Sequence, residues 1–148
     1  MNATTAETLA DLAASLQEGL PLDVACFRIN DAMEGLGLLG QPGLRIYPEK
    51  ATYEQVEKLI RAALPGWGWR TAQSSASTSP LLFPCYEDPK HGARLERQYP
   101  PERWHRRQDV HLNIHPPIDS AAALCAALLV TLATILQDRQ AAEARAHV

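Results

Sequence analysis

The sequence predicts an α+β fold: an antiparallel β-sheet of three to four strands packed with α-helices, arranged as an α/β/α three-layer sandwich. Three observations lead there. Apolar residues recur at helical spacing as far as Leu64, switch to a period of two from Trp67, and return to helical spacing after Ser120. The strand-like runs are joined by hairpin-length connections, which favour antiparallel pairing. Two further helical runs precede this core and can cover the second sheet face. The chain has 148 residues, 46% of them hydrophobic, enough for one domain with a real core and short for two without a linker. It divides into N-terminal helices over 1–38, a helix–strands–helix core over 52–139, and a frayed tail over 140–148.

The first helix is predicted over 5–18. Thr4 and Glu7 fit a capping box, Leu9, Leu12, Ala13 and Leu16 form its stripe, and Gly19 ends it. Pro21 suits the first position of a second helix running to Gly35 or Gly37, with Ala25, Ile29, Ala32, Met33 and Leu36 on one face. Gly and Pro punctuate 35–50 as loop. Thr52 and Gln55 make a second capping box for a helix lined by Tyr53, Val56, Ile60, Ala63 and Leu64, which Pro65-Gly66 ends.

Trp67, Trp69 and Thr71 then share one face of a strand. QSSASTSP, 73–80, reads as a loop or hairpin tip. The strand in LLFPCYE carries Pro84, which confines it to an edge or a bulge. DPKHG is a turn, and alternating Ala93, Leu95, Arg97 and Tyr99 suggest another strand. YPPERWHRR is loop, and Asp109 to His115 is the last strand. The final helix follows Pro116-Pro117, capped by Asp119 or Ser120. Its back, with Ala122, Ala123, Ala126, Val130 and Thr134, carries no charge until Asp138. That face needs a second packing partner: another layer of the fold, or the seam of a homodimer.

Composition excludes several classes. Net charge is −3 and the pI near 5.9, so no global attraction to nucleic acid or anionic membrane is expected. Three separated cysteines, Cys26, Cys85 and Cys125, form neither a disulfide framework nor a CxxC zinc pair, which suits a reducing cytoplasm. The N-terminal residues lack the pattern of a signal peptide. Ala121–Leu136, broken by Thr131 and Thr134, is expected to fall short of a bilayer span, so no membrane role is expected.

The helix–three strands–helix order resembles the double-stranded RNA-binding domain. That module needs basic residues at the start of its last helix, and IDSAAALC holds none, so the reading is set aside. LDVACFRINDAMEGLG (22–37), ATYEQVEKLIRAALPGWGWR (51–70) and SAAALCAALLVTL (120–132) resemble the phage ABA-sandwich domain, a family of small phage and prophage proteins. The resemblance implies a fold and a phage origin. It brings no reaction, no cofactor and no catalytic motif. The chain departs from the pattern in its longer first helix and in an insert over 73–107.

Two segments could carry function. In VHLNIH, His111, Asn113 and His115 fall on one strand face about 6–7 Å apart. Two such imidazoles can chelate zinc if a third ligand arrives, from His91, His105, Glu87 or Cys85, though none has a recognised spacing. The plainer reading buries Val110, Leu112 and Ile114 and leaves the polar trio outside. Between Lys90 and Arg107 the chain concentrates Arg94, Arg97, Arg103, Arg106 and Arg107, with Tyr99, Trp104 and His105 interleaved. Arginine offers planar donors to phosphate or carboxylate, and Trp104 a stacking platform. A solvated loop is the competing reading. Trp67 and Trp69 suit the core, GLGLLG is no phosphate loop, the serines of 74–79 lack a nucleophile elbow, and Glu54 and Glu57 suit a solvated helix face.

The expectation is therefore a cytoplasmic phage or prophage accessory protein that binds a host protein, possible targets including a defence component. Its contact region would comprise Arg94, Arg97, Arg103, Trp104, His105, Arg106, Arg107, His111, Asn113 and His115, with no catalytic residue, metal or cofactor. A second hypothesis is a pocket for a small phosphorylated ligand such as a signalling nucleotide, lined by Arg97, Arg106, Arg107, Trp104, His111 and His115. A third is a metal-dependent hydrolase using His111 and His115.

Overall fold

The computed structural model describes residues 5–104 and 111–147. It is α+β, with six α-helices and one two-stranded antiparallel sheet among the described residues. Helix α1 (Thr5–Gln17) buries Leu9, Leu12, Ala13 and Leu16. Gly19 ends it at φ +106°, a left-handed turn that suits glycine. Thr4, half of the expected capping box, lies outside the described residues. Helix α2 (Leu22–Gly35) buries Ala25, Ile29 and Met33 and starts one residue after Pro21.

The segment after α2 is loop as far as a single 3-10 turn over Pro48–Lys50, and two buried amides hold it. Asn30 of α2 donates from Nδ2 to the Ile46 carbonyl at 2.8 Å and accepts the Ile46 N–H at 2.9 Å. Gln55, in α3 (Tyr53–Ala63), donates from Nε2 to the Gly43 and Arg45 carbonyls at 2.7 and 3.0 Å. The expected second capping box is thus half formed. Thr52 Oγ1 accepts the Gln55 N–H at 3.2 Å, while the Gln55 side chain turns away to the loop. Buried backbone groups need such partners, and no regular ladder supplies them here.

Strands β1 (Trp67–Gln73) and β2 (Thr78–Pro84) pair from Trp67↔Pro84 to Gln73↔Thr78. The tip is tighter than the sequence suggested: Ser74 Oγ accepts the Ala76 and Ser77 N–H groups, and β2 already begins at Thr78. The expected strand 109–115 is reduced to isolated bridges, Thr78↔Ile114 and Leu81↔His111, in one register. Asp109 and Val110 lie outside the described residues. Proline explains the poor ladder. Thr78 exchanges both backbone bonds with Ile114, and Leu112 donates to the Pro80 carbonyl at 3.1 Å, but Pro80 has no N–H to return. Pro84 has the same parity in β2, so both prolines direct their missing donors away from β1.

Two expectations are corrected. Residues 93–99 form no strand; they belong mostly to helix α4 (Gly92–Gln98), followed by the short α5 (Pro101–Trp104). Gly92, Leu95 and Tyr99 are spaced for one helical face, and ARLERQ is rich in helix formers with no β-branched residue. Nor do the described residues show the α/β/α layering. Helix α6 (Ser120–Ala146) occupies the centre instead, with α1 along it and α3, β1 and β2 also packed against it.

Every residue from Ala121 to Leu129 in α6 is buried. Of its uncharged back, Ala122, Ala123, Ala126 and Thr134 are covered within the chain and Val130 is half-buried. Thr131 settles its hydroxyl on the Ala127 carbonyl at 2.8 Å. Asp119 caps the helix by accepting the Ala122 N–H at 3.2 Å. The helix runs on as far as Ala146, into the segment 140–148. Contrary to the sequence reading, α6 is long and apolar enough to cross a membrane, but 78% of its apolar window is buried inside the protein, consistent with the core helix of a soluble protein.

Candidate functional site

The basic segment does not assemble as the sequence suggested. Arg94 is a latch: its guanidinium donates to Gln98 Oε1 at 2.8 Å and to the Pro65 carbonyl at 2.7 Å. Arg103 pairs with Asp138 of α6 at 2.6 Å. Arg97 is exposed, while His105, Arg106 and Arg107 lie outside the described residues. Trp104 packs mainly into the protein and is not the open stacking platform expected. It is 7% exposed and meets Trp67 and Tyr99 edge-on, with ring centroids 5.3 and 5.7 Å away. Trp67 and Tyr99 are also perpendicular at 5.0 Å, so three aromatic rings tie β1 to α4 and α5.

The polar trio lies outward. In β2, Thr78, Pro80, Leu82 and Pro84 are buried, so its odd positions and the matching residues of β1 form the outer face. His111 and Asn113 are exposed beside it, and Ser79 Oγ donates to Asn113 Oδ1 at 2.9 Å. His115 sits at the hairpin tip, with Nδ1 2.9 Å from the Ala76 carbonyl. Phe83 also lies on this face, across Gly68. A Cβ at Gly68 would stand 2.7 Å from the Phe83 ring and 2.8 Å from Cys85 Sγ. Among the described residues no group of three His, Cys, Asp or Glu could hold a metal ion, so His111 and His115 find no third ligand there.

One constellation was not legible beforehand. Cys85, Asp88 and His91 line a cleft of about 360 Å³ with Arg61 and Trp69. These residue types could suggest a thiol nucleophile, but the electrostatics oppose it. Burial, then Asp88 and Glu87, push the Cys85 thiol above its ordinary pKa, whereas a reactive cysteine needs its thiolate favoured. The nearby polar groups have structural work instead. Trp69 Nε1 donates to Glu57 Oε2 at 2.9 Å, and the Arg61 guanidinium lies 5.1 Å from the Trp69 ring centre. Glu57, expected on a solvated face, is a partner for that indole.

The surface most unlike solvated protein lies on α2. Val24 and Phe27 are 61% and 60% exposed, and Tyr47 is 45% exposed. The first two are three apart on one helix, hence neighbours on its surface. Tyr47 follows Ile46, which Asn30 holds beside the same helix. Exposed Asp23, Arg28, Asp31 and Glu49 supply charge around them. Periodicity placed Ile29 and Met33 in the core but gave no reason to mark the opposite face, because the spacing of Val24 and Phe27 becomes informative only once their exposure is known.

Compared with known proteins, the chain matches no family model, no curated protein and no solved structure.

Proposed function

We propose that the protein is a phage or prophage accessory protein that acts by binding a host protein in the host cytoplasm, inhibiting a defence component by masking its surface. The likeness of 22–37, 51–70 and 120–132 to the phage family supports the origin. The burial of α6 supports a soluble protein.

One observation carries the binding mode: of the four large hydrophobic side chains exposed among the described residues, three (Val24, Phe27 and Tyr47) are associated with α2. An apolar centre with a charged rim is the anatomy of a protein interface. Anchors at i and i+3 fit insertion of a helix face into an apolar groove. Full burial of a Val or Phe contributes about 1.5–3 kcal/mol, so burying their exposed remainder on the partner yields roughly 2–3 kcal/mol for the pair. On this reading the contact surface is α2 with Tyr47, in place of residues 90–107 and the polar face of 111–115.

The test is photo-crosslinking in host cells, with the crosslinker at position 27 or, as a control, at position 83 on the sheet. A discrete host-protein adduct from position 27 alone is expected. Phe27→Ala should then weaken binding of that purified protein about tenfold without changing the melting temperature. An adduct from both positions, or from neither, overturns the proposal. So does light scattering that shows a dimer abolished by Phe27→Ala, because the patch would then belong to a second copy.

A further inference from the structure

A second surface is built for a different ligand. Helix α5 and the exposed end of α6 enclose a cleft of about 250 Å³. Its lining includes the apolar side chains of Ile135 and Ala142, with Tyr99 and Trp104 from the aromatic cluster. Its charged lining residues are Arg103, Arg139, Arg145 and Asp138. Arg103 and Asp138 pair at 2.6 Å. Arg139 and Arg145 make no hydrogen bond or ion pair among the described residues. Among the described lining residues, three guanidinium groups stand against one carboxylate, an excess of two positive charges on a partly apolar cavity.

Arg139 is close enough to Tyr99 to oppose the rise that burial imposes on its phenol pKa, which places this cation beside the aromatic wall. Helical geometry carries Ile135, Asp138, Ala142 and Arg145 along one stripe of α6. The stripe joins an apolar floor to a cationic rim.

We infer that this cleft binds a small phosphate monoester with a flat apolar body. A phosphate monoester carries about −1.5 to −2 charge at pH 7, which matches the excess positive charge of the described lining better than a single carboxylate does. Arginine forks suit its oxygens. The small volume, just below the usual range for drug-sized ligands of about 300–1,000 Å³, favours a single ring over a dinucleotide. The inference is independent of the α2 interface. It also relocates the phosphorylated-ligand hypothesis: Arg139 and Arg145, which the sequence reading did not single out, replace the histidines of the sheet.

Phenyl phosphate is the probe, titrated into the full chain and followed by amide and indole NMR shifts. The indole N–H of Trp104 and the amides from Asp138 to Arg145 should shift saturably. Affinity should fall about tenfold or more in Arg139→Ala/Arg145→Ala. Both side chains are exposed, so the fold should survive, and the wild-type melting temperature is the check. Affinity should also weaken below about pH 6, where the phosphate dianion takes up one proton and becomes a monoanion. Inorganic phosphate and benzyl alcohol should each bind more weakly than phenyl phosphate. No saturable shift, undiminished binding by the double variant, or equal binding of inorganic phosphate overturns the inference.

Discussion

Asn30 offers the sharpest test of how the long loop is held. Asn30→Ala removes one donor and one acceptor from Ile46, a residue with no exposed surface. Each buried backbone group left unpaired costs about 1–3 kcal/mol, so the variant should lose roughly 2–5 kcal/mol. For a chain of this size that is a fall of roughly 5–15 °C in melting temperature. Asn30→Asp is more discriminating. Its carboxylate still accepts the Ile46 N–H but turns a lone pair towards the Ile46 carbonyl. Burial and that carbonyl both raise its pKa above the ordinary value of about 3.9. The folded state then binds more protons than the unfolded state, so stability falls as pH rises through the folded pKa. Below it, the protonated acid can donate to Ile46. Urea melts followed by circular dichroism, each compared with wild type at the same pH, supply the numbers. At pH 7 Asn30→Asp should be at least as unstable as Asn30→Ala, and it should recover ground below about pH 5. A loss under about 1 kcal/mol for Asn30→Ala, or an aspartate variant that fails to recover in acid, refutes the clamp.

Two further outcomes follow from burial. Trp104→Ala should cost about 3–5 kcal/mol in a denaturant melt, because the side chain belongs to the aromatic cluster; a neutral result would return it to the surface. At high pH, burial pushes Cys125 up to about 12, and burial followed by Glu102 and Glu96 pushes Tyr86 up to about 12. Both folded values exceed the ordinary ones of 9.0 and 10.0, so their stabilisation is complete below about pH 9 and is lost as pH climbs towards 12. Ultraviolet titration of tyrosine, run beside thermal melts, should show Tyr86 ionising late and together with unfolding. Early ionisation in the folded protein would contradict it.

The elements with strong periodicity were legible: α1, α2, α3 and α6 follow from their stripes, and the hairpin from its change of period. The strand expected over 93–99 failed because alternating Leu95, Arg97 and Tyr99 also satisfy a helix in which Leu95 and Tyr99 lie four apart. In so short a run, helix-forming side chains decide the outcome. The layer order failed for another reason. An uncharged helix back states that something covers it, yet the same pattern fits a central helix, a sheet partner or a second subunit. For the candidate site, side-chain chemistry was legible while destination was not. Arg94, Arg103 and Trp104 have the composition of an interface, but their partners are Pro65, Asp138 and Trp67, separated from them by 29, 35 and 37 positions.

Those destinations explain how surface and core divide their work. An isolated two-stranded sheet is marginal in water, so β1 and β2 depend on α6 and on the Trp67–Tyr99–Trp104 cluster. Apolar packing supplies the bulk of the stability but is tolerant of small shifts, whereas a hydrogen bond or a close ion pair fixes position. The directional contacts occur where a surface has to be held in register. Asn30 fixes Ile46, and with it the chain that leads into Tyr47, and Gln55 fixes the same loop from α3. Arg103–Asp138 fixes one wall of the α5–α6 cleft against the other. Breaking a clamp should therefore disturb binding beyond what the loss of global stability explains. Breaking an equally costly core contact in α6, such as Leu128, should lower stability and leave the affinity of the folded fraction intact.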